Sequence, residues 1–232
     1  MKKFVSLIVV ASYLLTPTYI FAQSVDLLFQ GKSYTAPFYK GATLWPKQGA
    51  ITLLAIPQGL GNPTALNYKW IRNGTVLGGE SGASGVGKNS LTFSDPLFSK
   101  PVNIQVEIVN GSGDILAENS LNITPTNPFV IIYENNPLYG FMFHQEVGST
   151  YKLEDAEITF GAFPLFFDTP NQASPSLVYK WSTNAGETQD GSRVTYRTPE
   201  QGSGSSSVSI GVSMPEKIMA SVSKTFLVQF GK

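Results

Sequence analysis

Two stretches of this chain, about a hundred residues apart, carry the same residues in the same order, and that repetition constrains the fold more than any other feature. The first runs Ile51-Thr52-Leu53-Leu54-Ala55-Ile56-Pro57, then Leu66-Asn67-Tyr68-Lys69-Trp70, with Asn73 three residues on. The second runs Ile158-Thr159-Phe160-Gly161-Ala162-Phe163-Pro164, then Leu177-Val178-Tyr179-Lys180-Trp181, with Asn184 three residues on. Upstream, Pro37-Phe38-Tyr39 answers Pro137-Leu138-Tyr139. One unit therefore occurs twice, and each copy must build its own core.

The periodicity of both copies is two. Val102, Ile104, Val106 and Ile108 alternate with polar residues, as do Val208, Ile210, Val212 and Met214. Closing strands are expected over Leu116 to Ile123 and Val222 to Phe230, with short strands at Leu91-Thr92-Phe93 and Val194-Thr195-Tyr196. Asn110-Gly111-Ser112-Gly113 and Pro215-Glu216-Lys217 read as the last turn of each unit. No helical period lasts three turns. About seven strands per unit, closed into a two-sheet sandwich, is the expectation.

Tyr68 and Trp70 lie two apart and share a strand face, as do Tyr179 and Trp181. With Asn73-Gly74 they resemble the Y-x-W-x-x-N-G signature of tandem immunoglobulin-like or PKD-like modules in bacterial secreted proteins. In the second copy Ala185 separates Asn184 from Gly186, so a longer turn is expected there. More loosely, the chain resembles two-module secreted proteins of candidate-phylum bacteria. The resemblance implies an all-β chain of two tandem immunoglobulin-like β-sandwiches, and a non-enzymatic role in adhesion, spacing or surface structure.

Met1-Lys2-Lys3 followed by the apolar run Phe4 to Leu15 and the small residue Ala22 describe a secretory signal peptide over 1–22. A retained membrane anchor is the alternative, but the run is short and Thr16-Pro17-Thr18 interrupts it. The expected organisation is a first sandwich over 23–124, a proline-containing linker over 125–128 and a second sandwich over 129–232, with no membrane span after the signal. Lys and Arg number 16 against 16 Asp and Glu, so nothing favours nucleic acid. The chain has no cysteine, and core packing must replace the disulfide usual in exported sandwiches. Two prolines, Pro125 and Pro128, make the linker stiff and predict a semi-rigid rod.

Gly82-Ala83-Ser84-Gly85-Val86-Gly87-Lys88 matches most of a phosphate-binding loop. Such a loop must open a helix, whereas Ser90-Leu91-Thr92-Phe93 is β-patterned, and Asn89 replaces the magnesium-binding hydroxyl. The stretch reads as a flexible loop, and no nucleotide or other cofactor is expected. The lone His144 supplies neither a metal cluster nor a nucleophile's base, and reads as an edge-strand histidine. Glu154-Asp155-Ala156-Glu157 reads as a solvated turn rather than a cation site. Asn73, Asn110 and Asn122 match the glycosylation triplet and are read first as turn residues.

Features present in only one copy are where a function could have been added. These are Trp45, the 78–90 loop, and the apolar triplet Leu165-Phe166-Phe167. A strand cannot turn three consecutive side chains to one core, so part of the triplet should meet the neighbouring module or a foreign molecule. Trp45, Phe166 and Phe167 are the candidate partner contacts, with a surface protein or a glycan as partner; Pro46 puts Trp45 on an edge, where its indole either caps the core from outside or faces that partner. A pair of carbohydrate-binding modules and a β-sandwich hydrolase are the competing readings. Two acidic groups in one cleft would favour the hydrolase.

Overall fold

The computed structural model describes residues 23–36, 39–78, 82–95, 97–199 and 202–231. The expected signal peptide, Pro37 and Phe38 lie outside the described residues. The chain is all-β, and its strands fall into two tandem immunoglobulin-like sandwiches. The first comprises β1 (Ser24–Gly31), β2 (Ala50–Gln58), β3 (Asn67–Arg72), β4 (Thr75–Val76), β5 (Gly85–Val86), β6 (Ser90–Ser94), β7 (Val102–Val109) and β8 (Ile115–Ile123). One sheet has the order β1-β2-β6 and the other β4-β3-β7-β8, with β5 paired to β3.

The second comprises β9 (Phe129–Asn136), β10 (Gly140–Glu146), β11 (Thr150–Leu153), β12 (Glu157–Leu165), β13 (Val178–Thr183), β14 (Thr188–Asp190), β15 (Arg193–Arg197), β16 (Gly204–Ser213) and β17 (Ser221–Phe230). Its sheets have the orders β10-β9-β12-β15 and β11-β17-β16-β13-β14. Seven strands per unit was an underestimate. Residues β-paired at β4, β5, β10, β11 and β14 sit in short or exposed segments where alternation is weak.

Each sandwich buries its own core. The first packs Leu53, Tyr68, Trp70, Ile104 and Ile108 between its sheets. The second packs Phe160, Tyr179, Trp181, Ile210 and Phe226. The repeated residues do the same work twice. Trp70 Nε1 donates to Lys88 O at 2.8 Å, and Trp181 Nε1 to Gly191 O at 2.9 Å. Tyr68 and Tyr179 donate to the carbonyls of Pro63 and Gln172 at 3.0 and 2.7 Å. Thr52 bonds Thr92 at 2.9 Å across one outer face, and Thr159 bonds Thr195 at 2.8 Å across the other. Asn73 and Asn184 each accept through Oδ1 from a backbone N–H of the facing strand, that of Asn103 and of Ser207. The Trp and Tyr bonds satisfy polar atoms that burial would otherwise leave costly.

The 78–90 loop is tied down at its described residues, contrary to a freely flexible loop. Ser84 Oγ accepts from Trp70 N–H and donates to Leu77 O, and Gly85–Val86 pair with β3. Among the glycosylation triplets, Asn122 lies within β8 rather than in a turn, its Oδ1 taking the Asn103 amide at 2.9 Å.

Candidate functional site

The segment 32–49, joining β1 to β2, places the first of the singled-out residues. Thr126 N–H donates to Trp45 O at 2.7 Å and Lys47 N–H to Thr126 O at 3.2 Å, so the linker is bonded to this segment. Trp45 is thereby turned inward. Its side chain is fully buried, its Nε1 donates to Gly49 O at 3.0 Å, and its ring meets Phe93 edge-on at 5.5 Å. Of the two readings of Trp45, a cap on the core and a partner contact, the first describes it: Trp45 closes the first core at the junction.

Phe166 and Phe167 are also buried, on opposite sides of their sheet. Phe166 adopts φ 59, a conformation rare for a bulky residue. That turn breaks the alternation, so Leu165 and Phe166 stay on the outer face while Phe167 enters the second core. Phe166 packs against Phe129 at 5.5 Å and edge-on against Tyr39 at 6.0 Å. The triplet does meet a second surface, and that surface belongs to the first module's 32–49 segment, through Ala36, Tyr39 and Leu44. None of the three candidate residues offers a solvent-facing apolar surface to a foreign partner.

The junction centres on a residue that sequence reasoning passed over. Gln48 is buried at φ 56. Its N–H donates to Ser99 Oγ at 2.7 Å in the first module. Its O accepts from Lys217 Nζ at 2.9 Å and its Oε1 from Met219 N–H at 2.6 Å, both in the second. Lys217 Nζ also reaches Asp168 Oδ2 at 2.5 Å, a pair only about a fifth exposed. Nothing in Pro46-Lys47-Gln48-Gly49 marks a pin of this kind except the glycine that follows it.

The crevices hold little convergent chemistry. One of about 400 Å³ lies at the junction, lined by Gln30, Lys32, Ser33, Thr43, Asp168 and Thr169. A second, of about 380 Å³, opens at the far end of the second sandwich between Leu153, Tyr196, Val208, Val228 and Phe230. Another, of about 230 Å³, is lined by Glu134, Glu146 and Tyr151. It meets the two-carboxylate criterion in part. Glu134 is already engaged by the Tyr151 hydroxyl at 2.7 Å and the Asn136 amide at 3.0 Å. Burial, and then that bond, pushes the Tyr151 hydroxyl well up, so it remains a donor. Glu146 is exposed opposite Tyr133 and shares its face, which Glu134, the next residue on β9, does not. His144 is exposed on β10 at the sheet edge, as expected. Among the described residues no three His, Cys, Asp or Glu are grouped to hold a metal ion, and no helix is long and apolar enough to cross a membrane.

No family model matches this sequence, and no curated protein matches it. Among solved structures, the fibronectin(III)-like modules of Clostridium thermocellum CbhA are similar at 12% identity and a TM-score of 0.25, over 85% of this chain and 92% of that one. Dimeric latent PorU from Porphyromonas gingivalis is similar at 10% identity and a TM-score of 0.29, over 94% of this chain and 25% of that one. A putative membrane anchored protein from Corynebacterium diphtheriae is similar at 9% identity and a TM-score of 0.29, over 91% and 59%. The functional reading rests on none of these.

Proposed function

We propose that this is a secreted, non-catalytic protein of the cell surface or extracellular space, a structural or adhesive element made of two clasped sandwiches. The observation that carries the reading is the junction. A backbone bridge from Pro46 to Thr126, an aromatic outer cluster and the Gln48 bonds tie the modules end to end. Such fastening suits a spacer that holds a surface at fixed distance. Crosslinking on intact producer cells, followed by identification of the captured partners, tests it. Capture of envelope proteins or glycans supports the reading, and recovery of the chain from the cytoplasm with its first 22 residues intact overturns it.

The hydrolase is the second reading, and the crevice lined by Glu134 and Glu146 is where two carboxylates come nearest to its criterion. Activity on a glycan panel that is lost in Glu134→Gln would establish it.

A further inference from the structure

Counted from the shared tryptophan strands, the two sandwiches fill the same end differently. The ladders set Arg72 opposite Ile104 and Val102 opposite Ile123 in the first. They set Thr183 opposite Val208 and Ser206 opposite Val228 in the second. Phe93 and Tyr196 correspond as well, each facing the isoleucine that opens its repeated stretch, Ile51 or Ile158. In the first sandwich three side chains fill the space around Phe93. The Trp45 indole meets that ring edge-on at 5.5 Å, the Arg72 guanidinium lies over it at 4.3 Å, and Val102 is buried in the same core. This is the end that the second module covers, since the linker residue Thr126 bonds to the Trp45 and Lys47 backbone there.

The second sandwich carries smaller side chains at the matching places. Its one tryptophan, Trp181, belongs to the repeated strand, and Arg72 and Val102 give way to Thr183 and Ser206. Phe160, in place of Leu53, takes back part of the volume, its ring tilted against Tyr196 at 6.4 Å. What stays open is the crevice of about 380 Å³ lined by Leu153, Thr183, Tyr196, Ser206, Val228 and Phe230. That volume falls within the ~300–1,000 Å³ typical of small-ligand sites. Tyr196 comes from one sheet and the other five from the facing sheet, so the crevice is a slot that suits a flat ring. Thr183 Oγ1 is buried with no hydrogen-bond partner among the described residues, and a ring N–H would supply one. Glu187 and Arg197 at the rim carry one charge of each sign, which favours a neutral group.

We propose that this crevice binds a neutral planar aromatic ring of indole size, presented as a side chain by a partner polypeptide. In the first sandwich the chain itself delivers the ring, from the segment 32–49, and the next module closes over that end. In the second sandwich the same end is the one remote from the junction, because Glu157 and Arg197 begin and end their strands there while Leu165 lies beside the linker strand at Phe129. A polypeptide that meets this end occupies the position that the second module holds toward the first. The inference goes beyond the surface-protein reading and does not depend on it.

Titration of the purified protein with N-acetyl-tryptophanamide, and separately with indole, tests it through the methyl NMR signals of Leu153, Val208 and Val228. Both probes should shift those signals to saturation and leave the corresponding Ile104 and Ile123 signals of the first sandwich unmoved. Leu153→Trp carries an indole into the crevice and should weaken both probes about tenfold or more without lowering the thermal midpoint. Should that variant lose stability, Ser206→Val, which restores the residue found at Val102, takes its place with the same loss expected. Methyl signals that neither probe shifts, or shifts that persist undiminished in the filled variant, would overturn the proposal. Indole binding without binding of N-acetyl-tryptophanamide would give the crevice to a free aromatic molecule and overturn the side-chain assignment.

Discussion

The two sandwiches agree in their interiors and part company in the segment between first and second strands. Tyr, Trp, Thr and Asn bonds match pair by pair, often within a few tenths of an ångström. The segments 32–49 and 137–156 differ entirely. Among its described residues the first has no strand of its own, and it fastens to its neighbour. The second folds back as hairpin strand β10, then crosses to the other sheet as β11, parallel to β17. Interior positions are held by packing on all sides, so divergence there costs stability. A surface connection carries no such constraint and can change its conformation or its partner.

The largest effects test the interiors. Trp70→Ala and Trp181→Ala should each cost about 3–5 kcal/mol in denaturant unfolding, because both indoles are fully buried and bonded to a carbonyl. Unequal costs, differing by more than about 2 kcal/mol, would break the claim that the two cores are equivalent. Trp45→Ala belongs in the same range, although it has no repeated counterpart, since its side chain is as deeply buried. A cost below about 1 kcal/mol would mean that Trp45 is a surface residue after all.

Next comes the junction. Gln48→Ala leaves the Met219 N–H without its side-chain acceptor and should cost about 1–3 kcal/mol. The backbone bonds from Gln48 N–H to Ser99 and from Lys217 to Gln48 O survive the substitution, so calorimetry should show one transition, shifted down. An unshifted transition would show that the side-chain bond to Met219 adds nothing to the junction.

These positions show what a single sequence reveals. The repeated Tyr-Lys-Trp strand was legible because burial of both copies demands the same residues at period two. The triplet Leu165-Phe166-Phe167 was legible as an anomaly, but its resolution needed the positive φ at Phe166, which no pattern of apolar residues encodes. At Trp45 a core cap and a partner contact both stayed open, because Pro46 marks an edge without saying which way the preceding side chain points. Gln48 was invisible. Its partners Ser99 and Lys217 lie 51 and 169 residues away, and a lone glutamine beside a glycine looks like any turn. β10 showed only through the edge-strand reading of His144, and β11 escaped because its pairing is a parallel crossover that needs no alternation.

Alkaline pH should separate the modules more gently. Burial, with Glu187 adding to it, pushes Tyr196 up to about 12, and burial raises Tyr151 and Tyr179 further. In the first module Tyr68 is raised by burial. A raised tyrosine keeps its proton in the folded state after the unfolded chain has begun to lose it near pH 10. The unfolded state then binds fewer protons, so stability falls as pH rises above about 10 and is unaffected by these groups below it. The second module carries more such groups and should open first. Trp181 fluorescence in a Trp45→Phe/Trp70→Phe background should change at lower pH than Trp70 fluorescence in Trp181→Phe. The opposite order would show that these hydroxyls do not govern alkaline unfolding.

The smallest expected effect concerns the loop that resembles a phosphate cradle, and it sharpens the comparison at the tryptophan strand. In the second module β14 pairs with Lys180, Trp181 and Ser182 directly. In the first, β4 reaches only Ile71 and Arg72, and the Trp70 N–H is satisfied by the Ser84 hydroxyl instead. The loop therefore substitutes for a strand, using Ser84 Oγ and the Lys88 backbone carbonyl that holds the indole. The Lys88 ammonium has no part in this, and its side chain is exposed. Ser84→Ala should cost about 1 kcal/mol through the bonds it removes, whereas Lys88→Ala should stay within about 0.5 kcal/mol of the unaltered protein. Titration calorimetry of the unaltered protein with ATP should show no heat of binding. Binding that is present there and absent in Lys88→Ala would mean the loop is a phosphate site, and the missing-strand account of its conformation would have to be given up.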